Sequence, residues 1–209
     1  MIQQQRRQIE NTLSQLFNET KNDHLKMMQS FSKSIFRPLG PKDFKDVALS
    51  ISKEQGEDLI RMIKKENLKK IVEFGTSFGI STLYLAAGVL ETGGHIITTE
   101  LIKSKAERAI RNFKKAGVAD HIQVLVGDAL DTLKDHQEPI DMLLLDGWKD
   151  LYWPLFQLLE PNFHANTVIY VDNADMAETR DFLKKVEKRE SYQIRYAFGG
   201  SVALIRKRS

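Results

Sequence analysis

The sequence predicts a doubly wound α/β domain, Rossmann-like with a mostly parallel sheet, carrying an N-terminal helical extension. Three observations lead there. From residue 47 onward, five short β-rich runs alternate with amphipathic helical segments, the pattern of βαβ units. The chain then ends on two strand-like runs joined by Gly199-Gly200, a hairpin signal that closes the sheet with an antiparallel edge. Before residue 47 the pattern is helical only, and Arg37-Pro38-Leu39-Gly40-Pro41 interrupts it. At 209 residues the chain can fill one core but not those of two ordinary domains.

Residues 1–46 form the extension. Ile9, Leu13, Leu16 and Phe17 make one apolar stripe at helical spacing, and Leu25, Met28, Phe31 and Ile35 make a second. A lid over a substrate pocket, a homodimer arm and a helical layer packed on the body all fit these stripes. Residues 47–209 form the body. Ser52-Lys53-Glu54-Gln55 has the spacing of a capping box, and Leu59, Ile60 and Ile63 continue the helix it starts. Strands are predicted at 70–74, 95–100, 122–126, 140–146 and 167–172, and hairpin strands at 192–198 and 201–206. Helices are predicted between them at 80–91, 102–116, 128–134, 150–160 and 175–189.

Composition narrows the function classes. With 42% hydrophobic and 28% charged residues the chain is a folded soluble protein, not a disordered one. The absence of cysteine excludes disulfides, zinc–thiolate sites and thiol nucleophiles. The start, MIQQQRRQIEN, lacks the apolar region of a secretory signal, and the apolar run near Leu83–Leu90 is too short to span a bilayer. A cytoplasmic protein without a membrane partner is expected. Lys and Arg number 31 against 28 Asp and Glu, and residues 1–46, with 8 basic and 5 acidic residues, carry the whole excess. The body is therefore neutral, which gives little general affinity for nucleic acid. Lys103, Lys105, Arg108, Arg111, Lys114 and Lys115 line one helix; the usual role of such a run is a solvated face, with an RNA contact as the other reading. The five histidines are scattered without an H-x-x-x-H pair, which argues against zinc.

The first strand leads into Glu73-Phe74-Gly75-Thr76-Ser77-Phe78-Gly79 and then a helix. Gly75 and Gly79 let the backbone approach a ligand, and the helix start offers free N–H groups. The spacing is E-x-G-x-x-x-G, and an acid before the turn repels phosphate but suits a cationic group. Glu100 ends the next strand, where a carboxylate can grip the two hydroxyls of a ribose. With Glu73 and Glu100 in register, these features describe a positively charged nucleoside without phosphate: S-adenosylmethionine.

Asp146 ends the fourth strand in LLLDGWKD, and Asp172-Asn173 end the fifth in IYVDNA. One Asp at a strand end commonly caps the next helix. Two carboxylates and an amide on adjacent strands instead make an all-oxygen set suited to Mg²⁺ or a similar hard cation. Lys149, three residues past Asp146, is placed to act as a general base, its pKa lowered by a nearby dication. Trp148, Tyr152 and Trp153 flank this region, Trp148 as a cover for adenine and Trp153 as helix packing.

The stretch from Ala48 to Arg206 resembles the cation-dependent O-methyltransferases typified by the catechol and caffeoyl-CoA enzymes. The most specific match is DMLLLDGWKDLYWPLFQLLEP…TVIYVDNA, and IVEFGTSFGISTLYLA resembles the family's cofactor motif. The resemblance implies metal ligation by Asp146, Asp172 and Asn173, with Lys149 as catalytic base. It implies cofactor contacts from Leu49, Ile51, Glu73, Ser77 and Ser81, ribose binding by Glu100, and an adenine edge at Asp128, Ala129 and Trp148; Gly75, Gly79 and Asp146 complete the cofactor set. The family's hairpin glutamate has no counterpart in YAFGGSVALIRKRS, and its tryptophan before the cofactor motif and proline after D-N are also absent. The expected activity is Mg²⁺-dependent methyl transfer from S-adenosylmethionine to a hydroxyl of a small vicinal-diol acceptor. The same chemistry on a modified tRNA uridine, and a catalytically idle binding protein on this fold, are the alternatives.

Overall fold

A computed structural model describes residues 2–20 and 51–208. The second apolar stripe, the proline-rich break and Leu49 lie outside the described residues. Helix α1 (Ile2–Thr20) is followed by α2 (Lys53–Glu66), and then strands and helices alternate. They are β1 (Lys70–Phe74), α3 (Ile80–Thr92), β2 (His95–Glu100), α4 (Lys103–Lys115), β3 (Ile122–Val126), α5 (Ala129–Thr132) and β4 (Ile140–Leu145). Next come α6 (Tyr152–Leu159), β5 (Phe163–Asp172), α7 (Ala177–Glu187), β6 (Tyr192–Ala197) and β7 (Val202–Lys207).

The seven strands form one sheet in the order β3-β2-β1-β4-β5-β7-β6. The first five are parallel, and β7 runs antiparallel between β5 and β6, as the hairpin signal predicts. The order reverses direction at β1, so the carboxyl ends of β1 and β4 flank the crevice where open α/β sheets take ligands. Strand β5 starts at Phe163 and not at Thr167, because Phe163 pairs with Ile140 before an irregularity shifts the ladder. Strand β4 stops at Leu145, leaving Asp146 just beyond it with its N–H donated to the Phe74 carbonyl at 3.0 Å.

Both faces of the sheet are covered, so its central strands read as unbroken apolar runs. Ile71, Met142, Leu144, Val168 and Tyr170 face α1–α4, whereas Val72, Leu143, Leu145, Ile169 and Val171 face α5–α7. Helix α3 is buried all round from Ile80 to Leu90, and this explains its lack of a polar face. Helix α1 lays Ile9, Leu13 and Leu16 into the same core, each burial worth about 2 kcal/mol. Its polar rim is tied to the body by Arg6 with Glu91, Gln5 with the Gly117 carbonyl, Lys115 with Gln15, and Arg108 with Glu19. Among the described residues no helix is long and apolar enough to cross a membrane.

Candidate functional site

The turn after β1 is stitched to β2 through its backbone: the N–H groups of Gly75 and Thr76 both donate to the Thr99 carbonyl, at 3.2 and 3.0 Å. Gly75 has φ +107, and a Cβ there would stand 2.7 Å from the Asp146 carbonyl oxygen. Only glycine lets the β1 turn and the end of β4 come this close. Beneath the turn, Glu73 is fully buried. Ser81 Oγ donates to its Oε1, and Thr82 Oγ1 and Thr98 Oγ1 to its Oε2, each at 2.6 Å. Burial raises the Glu73 pKa, while the three hydroxyls pull the other way by favouring the anion.

Glu73 and Glu100 are not level, which corrects the expected register. Glu73 pairs with Thr98, so Glu100 lies two residues farther along β2, buried at the strand's end. Its Oε2 accepts from the Ser77 N–H at 2.8 Å and its Oε1 from the Ile102 N–H at 2.9 Å. Those bonds fix the carboxylate while leaving each oxygen a further lone pair. Ser77 itself has φ +50, and its Oγ is buried without a partner among the described residues. An orphaned hydroxyl is costly unless something outside the chain meets it, so this crevice is chemically suited to a polar cofactor. Gly79 opens α3 as its N-cap residue, against the Phe113 ring.

Asp128 is exposed and caps α5 through the Leu130 N–H at 2.8 Å, with Ala129 buried behind it. Ile51 is buried directly ahead of the capping box. Trp148 is half-buried on the α5–α7 side. Trp153 stacks on Phe156 with ring centroids 5.8 Å apart, in the packing role expected of it.

The second acidic centre is of another kind. Asp172 is 4% exposed at the end of β5, on the sheet face shared with Tyr170. Asp146 lies beside it, and its carboxyl is held well above the usual range first by burial and then by the Asp172 charge, with Lys149 opposing. Lys149 Nζ is 3.7 Å from Asp146 Oδ1 and donates to Tyr152 Oη at 2.8 Å. Tyr152 is fully buried, and its hydroxyl donates a hydrogen bond to the Leu145 carbonyl at 2.9 Å. Asn173 follows with φ +54, its carbonyl accepting from the Met176 N–H. Among the described residues no three His, Asp or Glu side chains form a ligand cluster; the set here is two carboxylates and an amide. Two buried, mutually repelling carboxylates with an adjacent amide oxygen fit a hard divalent cation, whose charge would relieve the repulsion.

Two residues of this centre escape a sequence reading of the site. Gln55, expected only as the capping-box partner of Ser52, also donates Nε2 to Asp172 Oδ1 at 2.9 Å. Tyr170, with no polar neighbour in sequence to mark it, buries its hydroxyl without a partner among the described residues, and burial raises its pKa far above the ordinary tyrosine value. The basic helix α4 is partly committed to internal contacts: Arg108 binds Glu19 and lies 4.0 Å above the Phe78 ring, Lys115 meets Gln15, and Lys105 is buried.

Residues 72–174, spanning the turn, Glu100 and both aspartates, match the family described as a methyltransferase domain. Catechol O-methyltransferase B of Danio rerio is 31% identical over 156 residues, covering 71% of this chain and 59% of that protein. Catechol O-methyltransferase of Mycobacterium tuberculosis is 34% identical over 126 residues, covering 60% and 57%. The chain thus spans less than two thirds of the length of either relative. Among solved structures, cofactor-bound Rv0187 from MTB superposes with a TM-score of 0.68 at 25% identity, covering 94% of this chain and 95% of that one. The O-methyltransferase from Bacillus cereus in complex with S-adenosylhomocysteine gives a TM-score of 0.68 at 21% identity, covering 87% and 97%. With that domain match, those relatives and that fold, residues 72–174 form a methyltransferase domain, and the chain is similar to O-methyltransferases that include the catechol O-methyltransferases.

Proposed function

We propose that this protein is an S-adenosylmethionine- and divalent-cation-dependent O-methyltransferase acting on a hydroxyl of a small vicinal-diol acceptor. The observation that carries the proposal is the buried Asp146–Asp172 pair with Lys149 Nζ 3.7 Å from it, one strand from the glycine turn. S-adenosylmethionine, when bound, supplies a methyl group on a positively charged sulfur. Glu100 would hold its ribose, Ser77 would satisfy its orphaned hydroxyl on the cofactor, and Glu73 would brace Ser81 and the start of α3 beneath it.

Asp146, Asp172 and Asn173 would hold the cation, which supplies positive charge that makes an adjacent acceptor hydroxyl more acidic. Lys149 in its neutral form takes that hydroxyl's proton onto Nζ, and Tyr152 Oη keeps the amine turned toward the site. S-adenosylmethionine, when bound, would supply its methyl group to the freed oxygen, leaving an ether, a neutral thioether and an ammonium on Lys149. Both reacting charges would vanish in that transfer, so the burial of Asp172 and Tyr152 beside it favours the reaction. The β6–β7 turn, tied to the residue after Asn173 by the Ala174 N–H donating to the Ser201 carbonyl at 2.8 Å, would bound the acceptor; Phe198, Gly199 and Gly200 there all have positive φ, and residues 192–207 include no acid. A second acceptor hydroxyl would therefore be oriented by the cation and not by a hairpin carboxylate.

The test is calorimetric titration of S-adenosylhomocysteine, then methyl transfer to a panel of vicinal diols with Mg²⁺ or EDTA, with bulk tRNA as a second arm. Transfer to a diol that EDTA abolishes supports the proposal. Transfer unaffected by EDTA removes the cation from it, and transfer to tRNA alone replaces the acceptor.

A further inference from the structure

The capping box at the start of α2 reaches into the acidic centre. Gln55 Oε1 accepts from the Ser52 N–H at 2.7 Å, while Gln55 Nε2 donates to Asp172 Oδ1 at 2.9 Å. Both ends of the amide are thus committed, and their roles cannot be exchanged: a flipped amide would set its oxygen against a carboxylate and its NH₂ against an N–H. The bond is buried and joins residues 117 positions apart. The helix end that carries it is fixed, because Gly56 lies against the Tyr84 ring so closely that a Cβ would stand 2.5 Å from it.

We propose that Gln55 is a positioning residue of the cation site, holding the Asp172 carboxylate in the orientation that ligation needs; this rests on the cation-dependent reading above. The two carboxylates are braced in different ways. Asp146 has a cationic neighbour in Lys149, which competes with a bound cation for its charge. Asp172 has a neutral amide, which orients the carboxylate without neutralising it. Gln55 occupies Oδ1, so Oδ2 would be the oxygen left for a cation held together with Asp146. Partners of this kind fix a ligand's geometry, and their loss typically weakens a metal site without removing a ligand.

The test is Mn²⁺ affinity, measured by electron paramagnetic resonance on the full chain for wild type, Gln55→Leu and Ser52→Ala. Ser52→Ala breaks the Ser52 side-chain cap of α2 but keeps both bonds of the Gln55 amide. Gln55→Leu is expected to weaken Mn²⁺ binding by about 10-fold or more, leaving S-adenosylhomocysteine affinity unchanged. Ser52→Ala is expected to lower the melting temperature with Mn²⁺ affinity intact. If Gln55→Leu unfolds, the wild type still decides: the Gln55 side-chain amide resonance should shift with the same half-saturation as Mg²⁺ binding. Unchanged Mn²⁺ affinity in folded Gln55→Leu, or a resonance indifferent to Mg²⁺, overturns the inference and leaves the cation reading standing. A wild type that binds no Mn²⁺ overturns both.

Discussion

Glu73 on β1 and the Asp146–Asp172 pair on β4 and β5 are buried acids at the same end of one sheet, and their surroundings differ sharply. Three hydroxyls converge on Glu73, each 2.6 Å from a carboxylate oxygen. The aspartates repel each other across a site where Gln55 supplies one amide bond and Lys149 stands 3.7 Å away. A satisfied buried acid organises the chain around it; an under-compensated pair is stored electrostatic work that a ligand can release. That contrast separates the part of the protein that shapes the cofactor turn from the part that would do chemistry.

The sharpest way to break this contrast is Asp172→Ala. Transfer should fall by more than about 10³-fold while S-adenosylhomocysteine affinity stays near wild type, measured by steady-state kinetics and calorimetry. Equal loss of both would merge the two centres into one. Lys149→Met comes next: removal of the base should lower kcat by about 10²–10⁴-fold without changing cofactor affinity, and a kcat within threefold of wild type would deny it that role.

Glu73→Gln should act on stability with a definite pH dependence. The Glu73 pKa is raised on folding, so the folded state binds its proton more tightly than the unfolded chain does. The resulting stabilisation is complete below the ordinary glutamate pKa and is lost as pH rises through the raised value. The melting temperature of wild type minus that of Glu73→Gln should therefore fall with rising pH, and a difference that grows would reverse the assignment. The smallest effect is expected of Tyr170→Phe. Its hydroxyl is buried without a partner among the described residues, so the variant should lie within about 0.5 kcal/mol of wild type or above it in denaturant unfolding.

Much of the fold was legible because local signals agreed with the global pattern. The runs 70–74, 95–100 and 122–126 became strands with those bounds, and Ser52–Gln55 forms the capping box its spacing predicts. Strand β5 was misjudged at its start because the polar stretch HAN hides a Phe163–Ile140 pairing that only the neighbouring strand creates. The site was legible residue by residue but not in its connections. Glu73 and Glu100 both stand out in the sequence, yet their two-residue offset depends on strand register, which periodicity within one strand does not carry. Gln55 was visible as a cap and invisible as a partner of Asp172, since the bond spans 117 residues. Helix α1, whose stripe fitted three roles, lays that stripe on the body beside α3 and α4.

The distinction between the two acidic centres is tested most directly by counting Mn²⁺ bound per chain in wild type, Glu73→Gln and Asp172→Ala. One ion should bind to wild type, remain in Glu73→Gln and be lost from Asp172→Ala. Retention in Asp172→Ala, or loss from Glu73→Gln, would contradict the assignment of the cation to the Asp146–Asp172 pair.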